Sequence, residues 1–249
     1  MKIIDAYWEK RNLGVDVAEF EINGDEPISE IKKSITENEK NYNYVKVPIE
    51  KMNLYNLMSE LGYSFVEESF HLFHDLKTIP INSLHKRISD CVSSLPMDDS
   101  DIDELFSEIR KGMFRTDRIA LHPDFGIEKA NLRYINWIKD ELDRGTEVYK
   151  LKYKNDNIGF FVYKEIDNGV YYPFLAGMYQ KYINSGLGIN IVIKPIQETI
   201  RRNGRCNFTY VSSNNTASLM SNIAFGYRIC GTSAVFTKKL IRKSDDMYC

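Results

Sequence analysis

The amino-acid sequence predicts an α/β protein. Strand-like alternation and helix-like periodicity of apolar residues follow each other along most of the 249 residues. Three strand-like segments, at 148–153, 158–166 and 170–178, are separated by turn-forming residues at the spacing of β-hairpins. A turn of small residues then joins the third segment to an amphipathic helix. We therefore expect helices packed on a sheet that contains antiparallel strand pairs.

The first 95 residues are predicted to form a smaller α/β region. We expect strands at 15–22, 42–47 and 65–73, and helices at 28–40 and 52–61. Gly62 follows the second helix, as glycine commonly does at a helix end. Residues 93–99 are rich in turn-forming and acidic side chains. We interpret them as a linker between a domain at 1–95 and a domain at 96–249.

The second region begins with two predicted helices, at 102–114 and 127–142. The three hairpin strands and the amphipathic helix come next. A strand at 205–211, a short helix at 215–224 and a last strand at 228–240 complete the chain. The predicted order is therefore two helices, three strands, and then helix, strand, helix and strand.

The composition is that of a globular protein, with 43% hydrophobic and 27% charged residues and a net charge of −2. Because no strongly basic field is present, we expect no nucleic-acid partner. No apolar run approaches the length that spans a membrane, and the N-terminus lacks the core of a signal peptide. We therefore expect a cytoplasmic protein with no membrane partner.

The cysteines and histidines do not predict a metal site. The cysteines are Cys91, Cys206, Cys230 and Cys249. No two of them are close in sequence, so we expect reduced, structural thiols. His71 and His74 are three residues apart in a strand-like segment, which places their side chains on opposite faces.

The turn before the amphipathic helix is a candidate phosphate site. Gly186 and Gly188 stand where the first helix amides are expected, and such amides attract anions. The alternative is an ordinary strand–turn–helix connection. Pro195 lies inside the predicted helix and should kink it. The residues predicted to form its buried stripe are Ile189, Val192, Ile193, Ile196 and Ile200.

Two motifs carry a resemblance to a known family. The first is Ile183-Asn184-Ser185-Gly186-Leu187-Gly188, and the second is the segment 215–227. They resemble the Gln/Arg-x-x-Gly-x-Gly/Ala loop and the Asn-x-x-Ala/Ser…Gly-Phe segment of the GNAT N-acetyltransferases. Ile183 departs from the family pattern, because it stands where Gln or Arg is usual. The resemblance covers about residues 145–240.

The resemblance implies a mixed, mostly antiparallel sheet flanked by helices, and an acetyl-CoA-dependent transferase. Such an acyltransferase moves an acetyl group to a primary amine of a small molecule. The closest likeness is to the dTDP-fucosamine acetyltransferase type, which suggests a nucleotide-linked amino sugar. Segment 57–63 is similar to residues in 219–227, so the N-terminal half is either a degenerate GNAT half or similar by chance.

The resemblance also implies how acetyl-CoA is held. Backbone amides of the turn would bind the pyrophosphate, and the end of the third hairpin strand would bind the pantetheine arm, with an N–H near Met178 facing the thioester oxygen. The implied cofactor-binding residues are Leu175, Ala176, Gly177, Met178, Ser185, Gly186, Leu187, Gly188, Ile189, Asn190 and Asn215. For Asn215, a helix cap is an equal alternative.

The implied proton-transfer groups are incomplete. Asn222 stands where many members carry a Tyr that protonates the thiolate, and an amide can only donate a hydrogen bond there. Phe174 stands where some members carry a basic Glu. We take Glu165 and Tyr172 as candidate bases, although a solvated face or an aromatic core would also explain them.

Three residues before the hairpin strands are candidates for binding the acceptor. They are Arg118, Arg133 and Tyr134, and their alternative role is a structural Asp–Arg network. Two other functions stay open: a non-catalytic acyl-CoA-binding or scaffold protein, and a peptide or protein N-acetyltransferase. A homodimer is compatible with the sequence.

Overall fold

The computed structural model describes residues 1–240, which form two compact units. We call Met1–Ser69 together with the chain from Thr232 the N-terminal unit, and Phe70–Gly231 the central unit. Over residues 1–240, no helix combines the length and the apolar character needed to cross a bilayer. Cys91, Cys206 and Cys230 are free thiols, and Cys249 lies outside the described residues.

The N-terminal unit alternates strands and helices. In chain order these are β1 (Lys2–Asp5), α1 (Trp8–Leu13), β2 (Val17–Glu21), α2 (Ile28–Asn38), β3 (Tyr42–Pro48), α3 (Met52–Glu60) and the first part of β4 (Ser64–His74). The last part of the final strand, β10 (Arg228–Lys239), also belongs here. The strand order is β1-β2-β3-β10, with β2 and β3 parallel and the other neighbours antiparallel.

In the N-terminal unit, the parallel strands β2 and β3 are paired along the whole length of β2. Every residue of β2 faces a residue of β3, from Val17↔Tyr42 to Glu21↔Lys46. In the turn that leads from β2 to α2, the side chain of Lys51 lies on Gly24, so that a Cβ built there would be 2.9 Å from Lys51 Cγ. Strand pairing and turn packing therefore leave no gap in this connection.

The central unit carries the remaining elements. They are α4 (Ser83–Asp90), β5 (Val92–Pro96), α5 (Asp99–Arg110), α6 (Gly126–Asp143), β6 (Val148–Tyr153), β7 (Asp156–Asp167), β8 (Val170–Met178), α7 (Asn190–Arg201), β9 (Cys206–Ser212) and α8 (Thr216–Ala224). With the last part of β4, the strand order is β4-β9-β8-β7-β6-β5. The pairs β5–β6, β6–β7 and β7–β8 are antiparallel, and β8–β9 is parallel.

Helices cover both faces of the central sheet because β7 is apolar on both sides. Phe160 and Val162 pack with residues of α5 and α6, including Leu105 and Ile138. Phe161, which alternates with them, belongs to a cluster on the opposite face, where α7 packs. A strand that is buried on both faces is expected to be continuously apolar, which this segment is. The mixed, mostly antiparallel sheet flanked by helices confirms the predicted fold class.

The predicted linker at 93–99 is wrong. Val92–Pro96 is the edge strand β5, paired with β6 from Val92↔Tyr153 to Pro96↔Tyr149. Asp98 caps α5 by accepting the N–H of Asp101 at 3.0 Å. Only Val92 of this strand is buried, so the sequence shows no alternation. The division into domains at 1–95 and 96–249 stays a prediction. Along the sequence, the boundaries of the two compact units fall after Ser69 and after Gly231.

Helix α7 differs from its prediction in two details. Ile200 is 44% exposed, so the buried apolar stripe ends at Ile196, and in the last turn Thr199 is the fully buried residue instead. The helix also continues through Pro195, which is buried. The Thr199 hydroxyl donates to the carbonyl of Pro195 at 2.9 Å. The expected interruption therefore does not divide the helix into two.

Candidate functional site

Strands β8 and β9 pair at their beginnings and then separate. Within these two described strands, the parallel register covers Val170↔Cys206 and Tyr171↔Asn207. One side-chain bond follows, from the Thr209 hydroxyl to the carbonyl of Pro173 at 2.6 Å. Among the described residues, the part of β8 beyond Pro173 pairs with β7 on its other side and with no further strand. We call the space beside residues 174–178 the strand gap.

A β-bulge lies where the strand gap begins. Val162 of β7 faces Leu175 and Tyr163 faces Pro173, so Phe174 is an extra residue without a partner. A bulge of this kind increases the local twist and bends the strand. We infer that the extra residue directs β8 away from β9.

The glycine turn lies between β8 and α7. Gly186 adopts a left-handed conformation with φ +79°, and a 3₁₀ turn covers Leu187–Ile189 before the helix begins. The hydroxyl of Ser185 accepts the N–H of Leu187 at 3.2 Å and donates to the carbonyl of Tyr182 at 2.7 Å. Ser185 therefore holds the turn in place.

Two amides of this turn are available to a ligand. Within the described residues, the N–H groups of Gly186 and Gly188 have no hydrogen-bond acceptor, whereas that of Asn190 reaches the carbonyls of Leu187 and Gly188. A Cβ built on Gly188 would meet only Met178 Cγ, at 3.9 Å. Free amides at a helix N-terminus beside open space are typical of an anion site.

The other predicted cofactor residues divide between the two faces of β8. Leu175 belongs to the cluster on the α5 and α6 side, and a Cβ on Gly177 would lie 2.4 Å from Met113 Sδ on that side. Ala176 and Met178 pack on the α7 side. The end of β8 is thus fixed by packing on both faces, while its backbone edge borders the strand gap.

Asn190 and Asn215 are held differently. Asn190 is fully buried, its amide donates to the Leu187 carbonyl at 2.9 Å, and its Oδ1 has no partner among the described atoms. Asn215 caps α8 by accepting the N–H of Ser218 at 3.2 Å. The cap is thus the role that the geometry gives Asn215.

The proposed catalytic residues do not converge on the strand gap. The Asn222 amide donates to the Ser218 carbonyl at 2.8 Å, inside its own helix. Glu165 is exposed and accepts the N–H of Gly169 at 2.7 Å, so it closes the β7–β8 hairpin at the end opposite to Met178. The local turn, rather than a substrate, explains this carboxylate.

Tyr172 is partly buried among aromatic rings. Burial raises the pKa of its hydroxyl, with Tyr210 as the next cause. A phenol with a raised pKa stays protonated at neutral pH, so Tyr172 can donate a hydrogen bond but cannot accept a proton as a base.

The predicted acceptor residues lie on α6 and on the loop that precedes it. Tyr134 packs against Phe114, with ring centroids 4.1 Å apart, and burial raises the pKa of its hydroxyl, with the Asp117 carboxylate as a second cause. Arg118 and Arg133 each interact with another group of the chain. Both the structural Asp–Arg network and acceptor binding therefore stay predictions for these two residues.

One group of residues was not predicted as a unit, and Tyr172 is its only member that was a candidate site residue. We call it the aromatic strip, and its members are Trp137 of α6, Tyr172 and Phe174 of β8, Phe208 and Tyr210 of β9, and His71 of β4. The available signal was the spacing of two between aromatic residues in both β8 and β9. That spacing places the rings of each strand on one face, but it does not tell which strands are neighbours.

A buried carboxylate beside the strip, that of Glu141, has a structural role because it is hydrogen-bonded within the protein. Glu141 accepts from Lys164 Nζ at 2.7 Å and from the Thr146 hydroxyl at 2.9 Å. Burial favours the neutral acid, but these hydrogen bonds prevail and lower the pKa of Glu141. Lys164 also lies over the ring of Phe174, 5.3 Å from its centroid. The Lys164–Glu141 ion pair therefore packs against the ring of Phe174, the bulge residue.

The structure is similar to solved GNAT proteins. A GCN5-related N-acetyltransferase from Sphaerobacter thermophilus superposes with a TM-score of 0.56 at 10% identity, over 80% of this chain and 59% of its own. One from Kribbella flavida gives 0.56 at 13% identity, over 92% of this chain and 84% of its own. A tandem GNAT protein from the clavulanic acid biosynthesis pathway gives 0.54 at 12% identity, over 85% of this chain and 68% of its own.

These likenesses concern the fold. The chain spans less than two thirds of the Sphaerobacter protein but most of the Kribbella protein. No family model and no curated protein matches the amino-acid sequence. From the strand gap, the glycine turn and these superpositions together, we conclude that the chain has the fold of the GNAT acetyltransferases.

Proposed function

We propose that the protein is an acetyl-CoA-dependent N-acetyltransferase that modifies a primary amine of a small molecule. The observation that carries this proposal is the strand gap beside Phe174 together with the free amides of Gly186 and Gly188. The gap and the amides match the two chemical parts of acetyl-CoA, because an extended chain can lie along a strand edge and a diphosphate can bind to helix amides.

In this proposal the chain holds the cofactor mainly by its backbone. Gly186 and Gly188 donate N–H groups to the pyrophosphate, and the positive end of α7 adds to the attraction. The free edge of β8, from Phe174 to Met178, holds the pantetheine arm. Bound acetyl-CoA supplies the acetyl group as a thioester. Because Met178 lies beside Gly188, where the pyrophosphate binds, the extended arm places the thioester at the Phe174 end of this edge rather than near Met178. One backbone N–H donor to the thioester oxygen contributes about 3–4 kcal/mol to lowering the barrier.

The transfer itself needs a proton to move. The amine nitrogen bonds to the acetyl carbon, the carbon–sulfur bond breaks, and the proton lost by nitrogen is taken up by the thiolate. Asn222 is bonded inside its helix, Tyr172 stays protonated, and Glu165 closes a hairpin. We therefore infer that water, rather than a dedicated side chain, carries the proton.

The same three side chains favour the rival proposal. A protein that binds acyl-CoA without catalysis needs the strand gap and the free amides but no acid or base. Binding of acetyl-CoA without release of thiol, across small amines and peptides, would support this scaffold function and contradict catalysis.

The decisive test compares two substitutions at Gly188. A Cβ there has ordinary contacts and the backbone is not left-handed, so Gly188→Ala should not strain the fold. Circular dichroism checks that Gly188→Trp is folded. We expect Gly188→Ala to bind acetyl-CoA in calorimetry nearly as the wild type does, and Gly188→Trp to lose binding and thiol release together. If Gly188→Trp bound acetyl-CoA normally, the proposed cofactor site would be wrong.

The acceptor is tested separately. The nucleotide-linked amino sugar suggested by sequence stays a prediction, as do peptide and protein amines. Thiol release is to be followed with a nucleotide-linked amino sugar, glucosamine, a lysine peptide and simple arylalkylamines. Acetylation of only the peptide would support the peptide N-acetyltransferase, and turnover of a small amine would contradict the scaffold function.

A further inference from the structure

The aromatic strip is a continuous series of ring contacts in the central unit. From α6 to the outer strands, ring centroids are 4.9 Å apart for Trp137–Phe174, 5.4 Å for Phe174–Tyr172, 5.9 Å for Tyr172–Tyr210 and 4.8 Å for Tyr210–His71. Phe208 joins the series through Tyr210 at 5.0 Å. The strip therefore connects α6 with strands β8, β9 and β4.

Tyr210 is the exposed part of the strip. Its side chain is 48% exposed, whereas the other rings are partly buried. Its ring is nearly perpendicular to those of Tyr172 (88°), Phe208 (90°) and His71 (81°). Such edge-to-face contacts fix the orientation of a ring. The strip thus offers a fixed and accessible aromatic surface to a ligand.

The inner end of the strip reaches the strand gap. Phe174 is the bulge residue at which β8 leaves β9, and Tyr172 lies two residues before it. Because the proposed thioester lies along residues 174–178, an acceptor on the strip would bring its nitrogen to the acetyl carbon from this side. The strip is therefore continuous with the proposed cofactor site.

The charges around the strip do not favour a diphosphate. Lys164, which lies over Phe174, is paired with Glu141 at 2.7 Å. Arg228, which lies over the ring of Phe73 two residues from His71, is paired with Asp75 at 3.1 Å. Both cations are already balanced, and the Trp, Tyr and Phe rings of the strip carry no formal charge. Flat ring faces attract other flat rings and ammonium groups instead.

We propose that the aromatic strip is the acceptor subsite, and that the acceptor is a primary amine carried on a flat aromatic or heteroaromatic ring. The ring stacks on Tyr210, and the short amine chain extends past Tyr172 towards Phe174. This inference rests on the proposed acetyl transfer and names its substrate class. In the transfer, the nitrogen–carbon bond of the amide forms as the thioester carbon–sulfur bond breaks, and the amine proton passes to the thiolate.

The test measures binding apart from turnover. The chain has two tryptophans, Trp8 and Trp137, so a Trp8→Phe background leaves Trp137 as a reporter beside Phe174. 2-Phenylethylamine is titrated into this protein saturated with CoA, and 2-cyclohexylethylamine is the matched control without an aromatic face. We expect a change in Trp137 fluorescence and about three- to tenfold tighter binding of the aromatic amine.

Substitutions at Tyr210 localise the effect. Tyr210→Phe keeps the ring and should bind 2-phenylethylamine as before, whereas Tyr210→Leu should bind it about three- to tenfold more weakly. Circular dichroism confirms that each variant is folded, and its CoA affinity should be unchanged. A folded Tyr210→Leu protein with unchanged amine affinity, or equal binding of the cyclohexyl amine, would overturn the inference.

Failure of this inference is distinguishable from failure of the proposed function. Acetylation of glucosamine with no binding of 2-phenylethylamine would overturn the aromatic acceptor but support acetyl transfer. Absence of acetyl-CoA binding would overturn both. Acetylation of 2-phenylethylamine that Tyr210→Leu impairs through KM, with kcat nearly unchanged, would support the strip as a binding surface.

Discussion

Within residues 1–240, each unit has a parallel strand–helix–strand connection, and the two differ in how far their strands stay paired. In the N-terminal unit, β2, α2 and β3 form a connection in which every residue of β2 is paired with β3. In the central unit, β8, α7 and β9 form the second connection, and its register covers only Val170↔Cys206 and Tyr171↔Asn207. The same topology therefore occurs with and without a gap.

The turn is filled by side chains in the first connection and open in the second. In the N-terminal unit the side chain of Lys51 lies on Gly24, and the N-terminal amino group of Met1 pairs with Glu26. In the central unit Gly188 faces open space and its amide is free within the described residues. The shared topology alone therefore does not produce an empty turn and separated strands, the two features on which the proposed phosphate site depends.

The largest expected effect is on acetyl-CoA binding by the two turns. Gly188→Trp should weaken binding at least a hundredfold, since the indole would occupy the space beside the free amides. Lys51→Ala, the matched change in the closed turn, should leave affinity unchanged. Calorimetry should also give one acetyl-CoA per chain for the wild type. A stoichiometry of two would show that the closed connection binds cofactor as well.

The second prediction concerns the edge of β8 that is paired with β7. A Cβ on Gly159 would lie 2.5 Å from the carbonyl oxygen of Gly177, a backbone atom that cannot move away cheaply. Gly159→Ala should therefore lower the free energy of unfolding by about 1–3 kcal/mol, as overpacking typically does. Urea unfolding measures this, with Gly188→Ala as the control in open space. An unchanged midpoint for Gly159→Ala would contradict the tight β7–β8 contact.

The third prediction concerns the point where β8 and β9 part. Thr209 is 6% exposed and its hydroxyl bonds to the Pro173 carbonyl at 2.6 Å. Thr209→Val removes the donor and leaves a carbonyl unpaired, so we expect a loss of about 1 kcal/mol in unfolding free energy and weaker acetyl-CoA binding. Thr209→Ser keeps the hydroxyl and should restore affinity, whereas equal affinities for both variants would exclude a role in positioning the gap.

The smallest expected effect is a pH dependence of the central unit. His74 is buried, its Nδ1 accepts the N–H of Leu76 at 2.9 Å, and its Nε2 lies 3.1 Å from the Phe225 carbonyl. Burial is the main cause that lowers its pKa from the ordinary 6.5, and it outweighs the Phe225 carbonyl and Asp75, which raise the pKa, while Arg228 lowers it further. A protonated ring could no longer accept from Leu76, so the neutral form is the one that the fold requires.

The sign of this effect follows from proton binding. Below pH 6.5 the unfolded chain binds a proton that the folded protein resists, so the stabilisation from His74 is full above pH 6.5 and is lost as pH falls towards the lowered folded value. Urea unfolding at pH 8 and pH 5.5 should show a smaller pH dependence for His74→Gln than for the wild type. Equal pH dependence would assign the effect to other groups.

Local patterns explain which parts of the fold were predictable. The hairpin strands and the helix after Gly188 follow from alternation, turn residues and apolar spacing, which operate over a few neighbours. Strand β5 was missed because only Val92 is buried, and α4 because its single buried residue is Ser89. Elements with so little buried surface leave no periodic signal.

The candidate site was predictable only where its residues are close together in the sequence. The glycines of the turn form a short motif, and their amides are free as the motif implies. The role of Glu165 depends on Gly169, with which its carboxylate closes a hairpin, and no pattern distinguishes that from a catalytic position. The aromatic strip joins residues from three strands and a helix, so it exists only after the strands have found their neighbours.

The extra residue at position 174 also determines which face of the sheet the later residues of β8 point to. In a regular strand, odd and even positions face opposite sides, yet Tyr171 shares an apolar cluster with Ala176 and Met178. One surplus residue between them makes this agreement possible. If this residue were deleted, the side chains after it would point to the opposite face of the sheet. The number of residues in this strand, and not only their identity, is therefore under constraint, and length changes should be tolerated far better in the outer turns.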